Sequence, residues 1–186
     1  MSSSQNELEA KLPCTIFCVH GNHEARANTV ENYVERTWHN GIVYYQEEHP
    51  RLLFAKDGEV FTFAGKDYIV IGGAYSVDKH YRKRMGHNWF EDEQPSPKIK
   101  RDVESTLKKH GYKVHGVLSH TCPFHYEPRE LFLSGLSQSL VDDSTEKWLD
   151  ILEKRLDYDI WYFGHYHGEK KIDKMQMIFH EVWKLE

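Results

Sequence analysis

The chain has 186 residues and a formal net charge of −5, and 39% of its residues are hydrophobic. This size suits a single domain over residues 1–186, and the composition excludes a disordered chain, which combines low hydrophobicity with high charge. Three cysteines do not make a disulfide framework, and no run of roughly 18 apolar residues provides a membrane span. No long basic block gives a strong nucleic-acid signal. We therefore expect a cytoplasmic protein without a membrane partner.

The N-terminal part of the chain combines helix and strand signals. SSSQNELEAKL predicts a short helix capped near Ser4, and the β-branched and aromatic run CTIFCV predicts a strand over residues 14–19. A second helix is expected from a cap at Asn28 or Thr29 through Trp38. The loop HGNHE thus follows directly after the first strand.

The middle of the chain has the pattern of an antiparallel sheet. Residues 51–76 contain three strand-like runs, which Asp57-Gly58 and residues 65–67 separate. Asp-Gly between hydrophobic runs is a strong hairpin signal. We therefore expect a three-stranded antiparallel meander here.

Two further helices are expected in the second half of the chain. Ser96 is a capping residue, and Pro suits the first helical position behind it, so a helix is predicted to run to about His110. Asp143 with Glu146 three residues later resembles a capping box and begins another helix. The apolar face of that helix contains Trp148, Leu149, Ile151, Leu152 and Leu156.

Three predicted strands end in the same way. CTIFCV leads into HGNHE, YKVHGVL leads into SHTCP, and YDIWYF leads into GHYHG. Helix-linked strands tend to lie parallel in one sheet, and the C-terminal ends of parallel strands meet at one edge. We therefore expect the polar side chains of these loops to converge. They are Asn22, His23, His120, His165 and His167.

The residue types of these loops suit metal chemistry. Neutral imidazole nitrogens and an amide oxygen favour a borderline divalent ion such as Zn, Mn, Fe or Ni. Asn22, His120 and His165 provide three ligands for one ion, and His167 is expected to turn toward a second ion. His23 directly follows a ligand, so its ring can point across the site and give a proton to a leaving group.

Each motif also has a purely structural explanation. A single histidine after a strand is commonly a hydrogen-bonded loop residue, and GNHE alone suits a turn with a helix cap. An isolated Gly-His-x-His pair is only moderately specific for metal. All three motifs at three strand ends, in this order, favour one shared site.

The ordered motifs GNHE, SHTCP and GHYH resemble those of the calcineurin-like metallophosphoesterases, over about residues 14–183. The resemblance implies an α/β fold, α+β in some schemes, built as a two-sheet β-sandwich flanked by helices (αββα). It also implies two divalent metal ions at the C-terminal ends of the strands. The implied activity is hydrolysis of a phosphate-ester substrate by attack of a metal-bound hydroxide.

The resemblance assigns a role to each histidine loop. It implies that Asn22, His120 and His165 bind the second metal ion and that His167 binds the first. His23 is then the active-site histidine that assists the leaving group or stabilises the transition state. GGAYSVDKHYR also resembles a loop of bacterial and phage members, which implies substrate binding by Tyr75, Asp78 and Arg82.

The chain departs from the family pattern before the first loop. The family opens with an Asp-x-His pair and then a Gly-Asp motif, whose Asp bridges the two ions. The first twenty residues of this chain contain no Asp. We therefore expect a domain without its first strands, one bound ion instead of two, and an exposed sheet edge open to self-association. A fragment, a split gene, a late start codon and a genuinely shortened protein remain as explanations.

Two other functions stay open at this stage. The main alternative is a catalytically inactive scaffold or fragment of the same fold, which binds a partner or a single metal ion. A structural zinc site is a third interpretation. It is less favoured, because such sites are usually rich in cysteine and Cys14 and Cys18 lie within the predicted strand.

Overall fold

The structure of the chain is a computed structural model, and it describes residues 12–132 and 138–185. In these ranges two β-sheets pack face to face, and helices cover the outer face of one sheet. The predicted two-sheet sandwich flanked by helices is confirmed. The predicted helix that begins near Ser4 lies outside the described residues. Among those described, no helix has the length and apolarity needed to cross a lipid bilayer.

The first sheet contains four strands in the order β1-β4-β3-β2. Their bounds are β1 Ile16–Cys18, β2 Tyr33–Trp38, β3 Gly41–Gln46 and β4 His49–Ala55. β1 runs parallel to β4, and the other neighbours are antiparallel. Within the described residues, β1 therefore forms one edge of this sheet.

The second sheet contains six strands in the order β5-β6-β7-β8-β10-β9. Their bounds are β5 Val60–Phe63, β6 Lys66–Ile71, β7 Gly116–Ser119, β8 Ile160–Phe163, β9 Lys170–Ile172 and β10 Met175–Met177. β6, β7, β8 and β10 run parallel to one another, so their C-terminal ends meet at one edge.

Three α-helices are described: α1 Lys79–Met85, α2 Pro97–Lys109 and α3 Ser144–Glu153. The predicted start of α2 is confirmed, because the Ser96 hydroxyl accepts a hydrogen bond from the Ile99 backbone N–H at 3.3 Å. The helix predicted after Asp143 is also confirmed, but its capping box is wrong. Asp142 Oδ1 instead accepts from the Ser144 backbone N–H at 3.1 Å.

The core has two parts, one on each face of the second sheet. Between the sheets it contains Val43, Leu53, Ala55, Phe61 and Val70. Under the helices it includes Leu107, Leu149, Leu152 and Trp161. Ile151, which was expected on the apolar face of α3, is 58% exposed, so that face is narrower than the sequence pattern indicates.

The helix predicted to end at Trp38 is wrong. A single 3-10 turn at Ala27–Thr29 is followed by β2, which forms a hairpin with β3. Trp38 pairs with Gly41, so His39 and Asn40 form a two-residue turn with φ of 48° and 70°. Left-handed φ at both central residues matches the twist of paired strands, and this turn prevails over the helical pattern.

Two predictions about strand pairing also need correction. The strands before the three histidine loops do not share one sheet, because β1 lies in the first sheet and β7 and β8 lie in the second. The expected meander is divided in the same way: β5 and β6 form the predicted hairpin, whereas β4 belongs to the first sheet. Asp57-Gly58 is the point where the chain crosses between the sheets, and Gly58 has a φ of 81° there.

Candidate metal centre

The loops after β1, β6, β7 and β8 meet at one rim of the sandwich. Their backbones are joined in series: Gly73 N donates to His20 O at 2.8 Å, His120 N to Ile71 O at 3.1 Å, and Gly164 N to His120 O at 3.0 Å. The first bond links the two sheets, and the other two link neighbouring loops of the second sheet. The loop after β1 therefore reaches the common rim although its strand lies in the other sheet.

Three of the expected ligands form one group, which we call the trio: Asn22, His120 and His165. His120 Nε2 lies 2.8 Å from Asn22 Oδ1 and 3.2 Å from His165 Nδ1. Because an amide oxygen only accepts, His120 Nε2 carries the hydrogen of the first bond. Asn22 is 5% exposed, and its Nδ2 donates to Ser76 Oγ at 2.9 Å, which turns Oδ1 toward the two rings.

The electrostatics of the trio suit a bound cation. Burial, with a smaller contribution from the neighbouring histidines, lowers the pKa of His120 to about 4 and that of His165 to about 3. Both rings are therefore neutral near pH 7, which is the form that binds metal. Two histidines and one amide make up the trio. No three His, Cys, Asp or Glu side chains form a metal-binding group within residues 12–132 and 138–185.

The turn after β8 has an unusual backbone. His165 has a φ of 68° and His167 a φ of 53°, both in the left-handed region, and Tyr166 N donates to Gly164 O at 2.8 Å. This region costs a non-glycine residue about 1–2 kcal/mol. Such strain is typical of functional sites, where the surrounding structure holds it in place.

His23 and His167 line the same pocket as the trio. Partial burial, together with the nearby Arg82 guanidinium, lowers the pKa of the His23 imidazole. The His167 ring stacks on Phe179, with ring centroids 4.9 Å apart. Both side chains are exposed at the pocket, so they are accessible to a bound molecule. Proton donation by His23 and binding of a first ion by His167 stay predictions.

The structure also locates the three residues expected to bind substrate. Tyr75 and Asp78 line the pocket. Arg82 Nε donates to Asp78 Oδ2 at 2.7 Å, and its Nη1 donates to Asn88 O at 3.1 Å. Arg82 is thus held by Asp78, and a substrate role for the three residues stays a prediction.

Sequence reasoning missed a buried ion pair beneath the rim. Arg26 Nη1 donates to Asp57 Oδ2, and the two side chains are 8% and 7% exposed. Arg26 Nε donates to Asp92 O at 2.9 Å, and Asp57 Oδ1 accepts from Gly72 N at 2.5 Å. Burial raises the pKa of the Asp57 carboxyl, and the Arg26 guanidinium opposes this rise. The pair fastens the GNHE loop to the crossing between the sheets.

A second missed group lies behind His120. Tyr166 Oη and Thr121 Oγ1 are 3.0 Å apart, and Glu146 is 5% exposed where it lines the pocket. Burial raises the pKa of the Glu146 carboxyl to about 7. Burial also raises the pKa of the Cys122 thiol, which disfavours a zinc thiolate there. Thr121, Cys122 and Tyr166 lie within the motifs, but the sequence did not indicate that Tyr166 and Glu146 line the pocket.

Gly73, which links the sheets at the rim, is expected to tolerate no side chain. Its φ is 89°, and an added Cβ would lie 2.3 Å from Glu93 O. Gly86 is a matched control, because its φ is 70° and nothing lies within 4 Å of an added Cβ. We expect Gly73→Ala to lower the free energy of unfolding by about 1–3 kcal/mol more than Gly86→Ala does, since only Gly73 is also crowded. Urea denaturation measures the difference, and equal losses would contradict the close approach.

Comparison with known proteins identifies the family of the chain. The family model for calcineurin-like phosphoesterases matches residues 2–169, a range that contains all three histidine loops. No curated protein and no solved structure matches the chain significantly. The family model covers most of the chain, and the two-sheet fold is consistent with it. The chain therefore belongs to the calcineurin-like phosphoesterase family, whose members in general hydrolyse phosphate esters with the help of divalent metal ions.

Proposed function

We propose that this chain is a metal-dependent phosphoesterase that hydrolyses a phosphate ester. One observation carries the proposal: Asn22 Oδ1, His120 Nε2 and His165 Nδ1 converge, with successive separations of 2.8 and 3.2 Å. All three ligand atoms belong to neutral groups that are held close together, and a shift of the His120 hydrogen from Nε2 to Nδ1 would free Nε2 for a cation. Family membership supplies the class of reaction. A reducing cytoplasm suits the three cysteines, which form no disulfide.

The donor set fits one divalent ion of the Mn, Fe, Zn or Ni type better than it fits two. A close pair of dications needs negative charge between them, and Glu24, the carboxylate nearest to Asn22 along the chain, already accepts a hydrogen bond from Gly21 N at 2.7 Å. A bound ion supplies charge neutralisation of the phosphate and an activated water. We propose occupancy by one ion at the trio, with His167 as the ligand of a second ion where one binds.

The remaining residues of the rim have roles that do not depend on the number of ions. His23 follows Asn22 directly and is accessible in the pocket, so it can give a proton to the leaving oxygen. Tyr75 and Asp78 line the same pocket and would orient the ester beside it. Arg82 fixes Asp78 through its 2.7 Å hydrogen bond and so supports this wall indirectly.

An assay with p-nitrophenyl phosphate and Mn²⁺ tests the proposal. We expect turnover that a chelator removes. With ethyl phosphate, whose alcohol needs a proton in order to leave, we expect His23→Gln to lower kcat about 100-fold or more while Mn²⁺ affinity is retained, because the loss concerns proton transfer. His110→Gln is the matched control, since His110 is exposed at the end of α2. Turnover of p-nitrophenyl phosphate that persists in the chelator would overturn the metal dependence, and undiminished turnover of ethyl phosphate by His23→Gln would overturn the role of His23.

A second candidate is a scaffold without catalysis. β1 is an edge of its sheet, and an open apolar groove beside it is lined by Phe17, Val19, Phe63, Leu118 and Tyr162. A second copy of this chain could pair with that edge. The same assay, together with Mn²⁺ calorimetry and sedimentation, separates the two functions, because a scaffold binds Mn²⁺ without turnover and sediments as a dimer.

A further inference from the structure

The pocket beside the trio is large and has two different walls. Its volume is about 760 Å³, within the range of cavities that enclose a small-molecule ligand. One wall holds the trio. A second wall, which we call the apolar wall, consists of Leu131, Phe132, Val141 and Tyr166. A phosphate held at the trio would therefore have its ester group within reach of apolar side chains.

The apolar wall is attached to the candidate metal centre. The Tyr166 ring contacts the His165 ring, with centroids 4.9 Å apart, and Phe132 stacks on Tyr166 with centroids 6.0 Å apart at 19°. The Tyr166 hydroxyl lies 3.0 Å from Thr121 Oγ1, which directly follows His120. These contacts hold Tyr166 and Phe132 in a defined position beside the trio.

Leu131 extends the wall because its neighbour is a glycine. A Cβ at Gly168 would lie 2.5 Å from Leu131 Cδ1, so the leucine packs over a space that any side chain at Gly168 would fill. Leu131 nevertheless remains 46% exposed. An exposed large apolar side chain inside a cavity gains from contact with an apolar ligand.

The charge of the residues that line the pocket further limits which ligands fit. None of the described residues that line it is Lys or Arg, whereas four acidic side chains line it: Glu24, Asp78, Glu127 and Glu146. A ligand with several phosphates needs cations along its length. A cation at the trio would balance one phosphate, and the carboxylates would repel further ones.

We propose, on the basis of the proposed function, that the pocket selects esters that carry a single phosphate on an uncharged, apolar alcohol with an aromatic ring. The phosphate lies at the trio, and the ring lies against Phe132, Tyr166 and Leu131. Chains of nucleotides are disfavoured, because Arg82, the cation near His23, is already paired with Asp78, and each further phosphate would meet acidic side chains.

Binding by calorimetry in Mn²⁺ buffer tests this inference without turnover. We expect 2-phenylethylphosphonate to bind about tenfold or more tightly than ethylphosphonate, because only the first can place a ring on the apolar wall. A short oligothymidylate is expected to bind more weakly than 2-phenylethylphosphonate. Equal affinities of the two phosphonates, or tighter binding of the oligonucleotide, would overturn the inference.

Variants connect the preference to the wall. Phe132→Ala is expected to reduce the affinity ratio of the two phosphonates about threefold or more, while Ile151→Ala, on the exposed side of α3, leaves it unchanged. Leu131→Ala, at an exposed position, provides the same test if Phe132→Ala does not fold. An unchanged ratio in the folded wall variants would contradict the inference.

Hydrolysis separates this inference from the proposed function. 2-Phenylethyl phosphate and ethyl phosphate have leaving alcohols of similar acidity, so a difference in kcat/KM reflects binding of the ring. We expect the ratio to follow that of the phosphonates. Loss of turnover with both esters, while the phosphonate preference persists, would contradict the proposed function and support the binding preference.

Discussion

Replacement of His120 by alanine is expected to weaken Mn²⁺ binding about 100-fold or more and to remove metal-dependent turnover. His120 Nε2 is the central atom of the trio, 2.8 Å from Asn22 Oδ1 and 3.2 Å from His165 Nδ1. Its removal leaves the two outer donors without the atom that brings them together. Calorimetry with Mn²⁺ and the p-nitrophenyl phosphate assay measure the two losses.

The thermal midpoint gives an independent reading of the same change. Because a ligand that binds the native state stabilises it, Mn²⁺ should raise Tm of the unchanged chain and have little effect on His120→Ala. His110→Ala serves as the control, since it removes an exposed histidine at the end of α2. Undiminished Mn²⁺ affinity in His120→Ala would show that the trio is not the metal site.

The Asp57→Ala variant is expected to lose about 3–5 kcal/mol in the free energy of unfolding. The substitution leaves the Arg26 guanidinium buried without its counter-ion, and it removes the acceptor of Gly72 N. Urea denaturation measures the loss. Glu35→Ala is the matched control, because it breaks an ion pair with Lys56 at the surface, which we expect to cost less than about 1 kcal/mol.

A double variant distinguishes the effect of an unpaired buried charge from a general disturbance of the surrounding fold. Arg26→Met with Asp57→Leu removes both charges together, and we expect it to recover a large part of the stability lost in Asp57→Ala. The recovered protein should still bind Mn²⁺ more weakly than the unchanged chain, because Arg26 also holds Asp92 O at 2.9 Å and thereby the loop that carries Asn22. A loss below about 1 kcal/mol in Asp57→Ala would mean that water or another carboxylate compensates Arg26.

The convergence of the histidine loops was predictable because it depends on local patterns. Apolar runs of strand length, followed by glycine or serine and then histidine, placed His120 and His165 at neighbouring strand ends, and β7 and β8 are parallel neighbours in the structure. Asn22 reaches the same rim from the other sheet. The motif identified Asn22 as a candidate ligand, but the sequence did not indicate to which sheet its strand belongs.

Long-range pairings were not predictable from local patterns. Asp57 and Arg26 are 31 positions apart, and Asp57 stands before Gly58, where the sequence indicates a turn. The side chain turns inward only because the chain crosses between sheets at this point. The false helix through Trp38 has a related cause. His39 and Asn40 adopt left-handed φ, and the hairpin that they close prevails over the capping and periodicity signals of the segment.

The position of Asn22 has a mechanical consequence. Asn22 follows a strand of the four-stranded sheet, whereas His120 and His165 follow strands of the six-stranded sheet. An ion bound by all three would act as a cross-link between the layers, and any sliding of one layer over the other would pull its ligands apart. Binding of the ion should therefore stabilise the alignment of the two sheets, and a loss of that alignment should weaken binding of the ion.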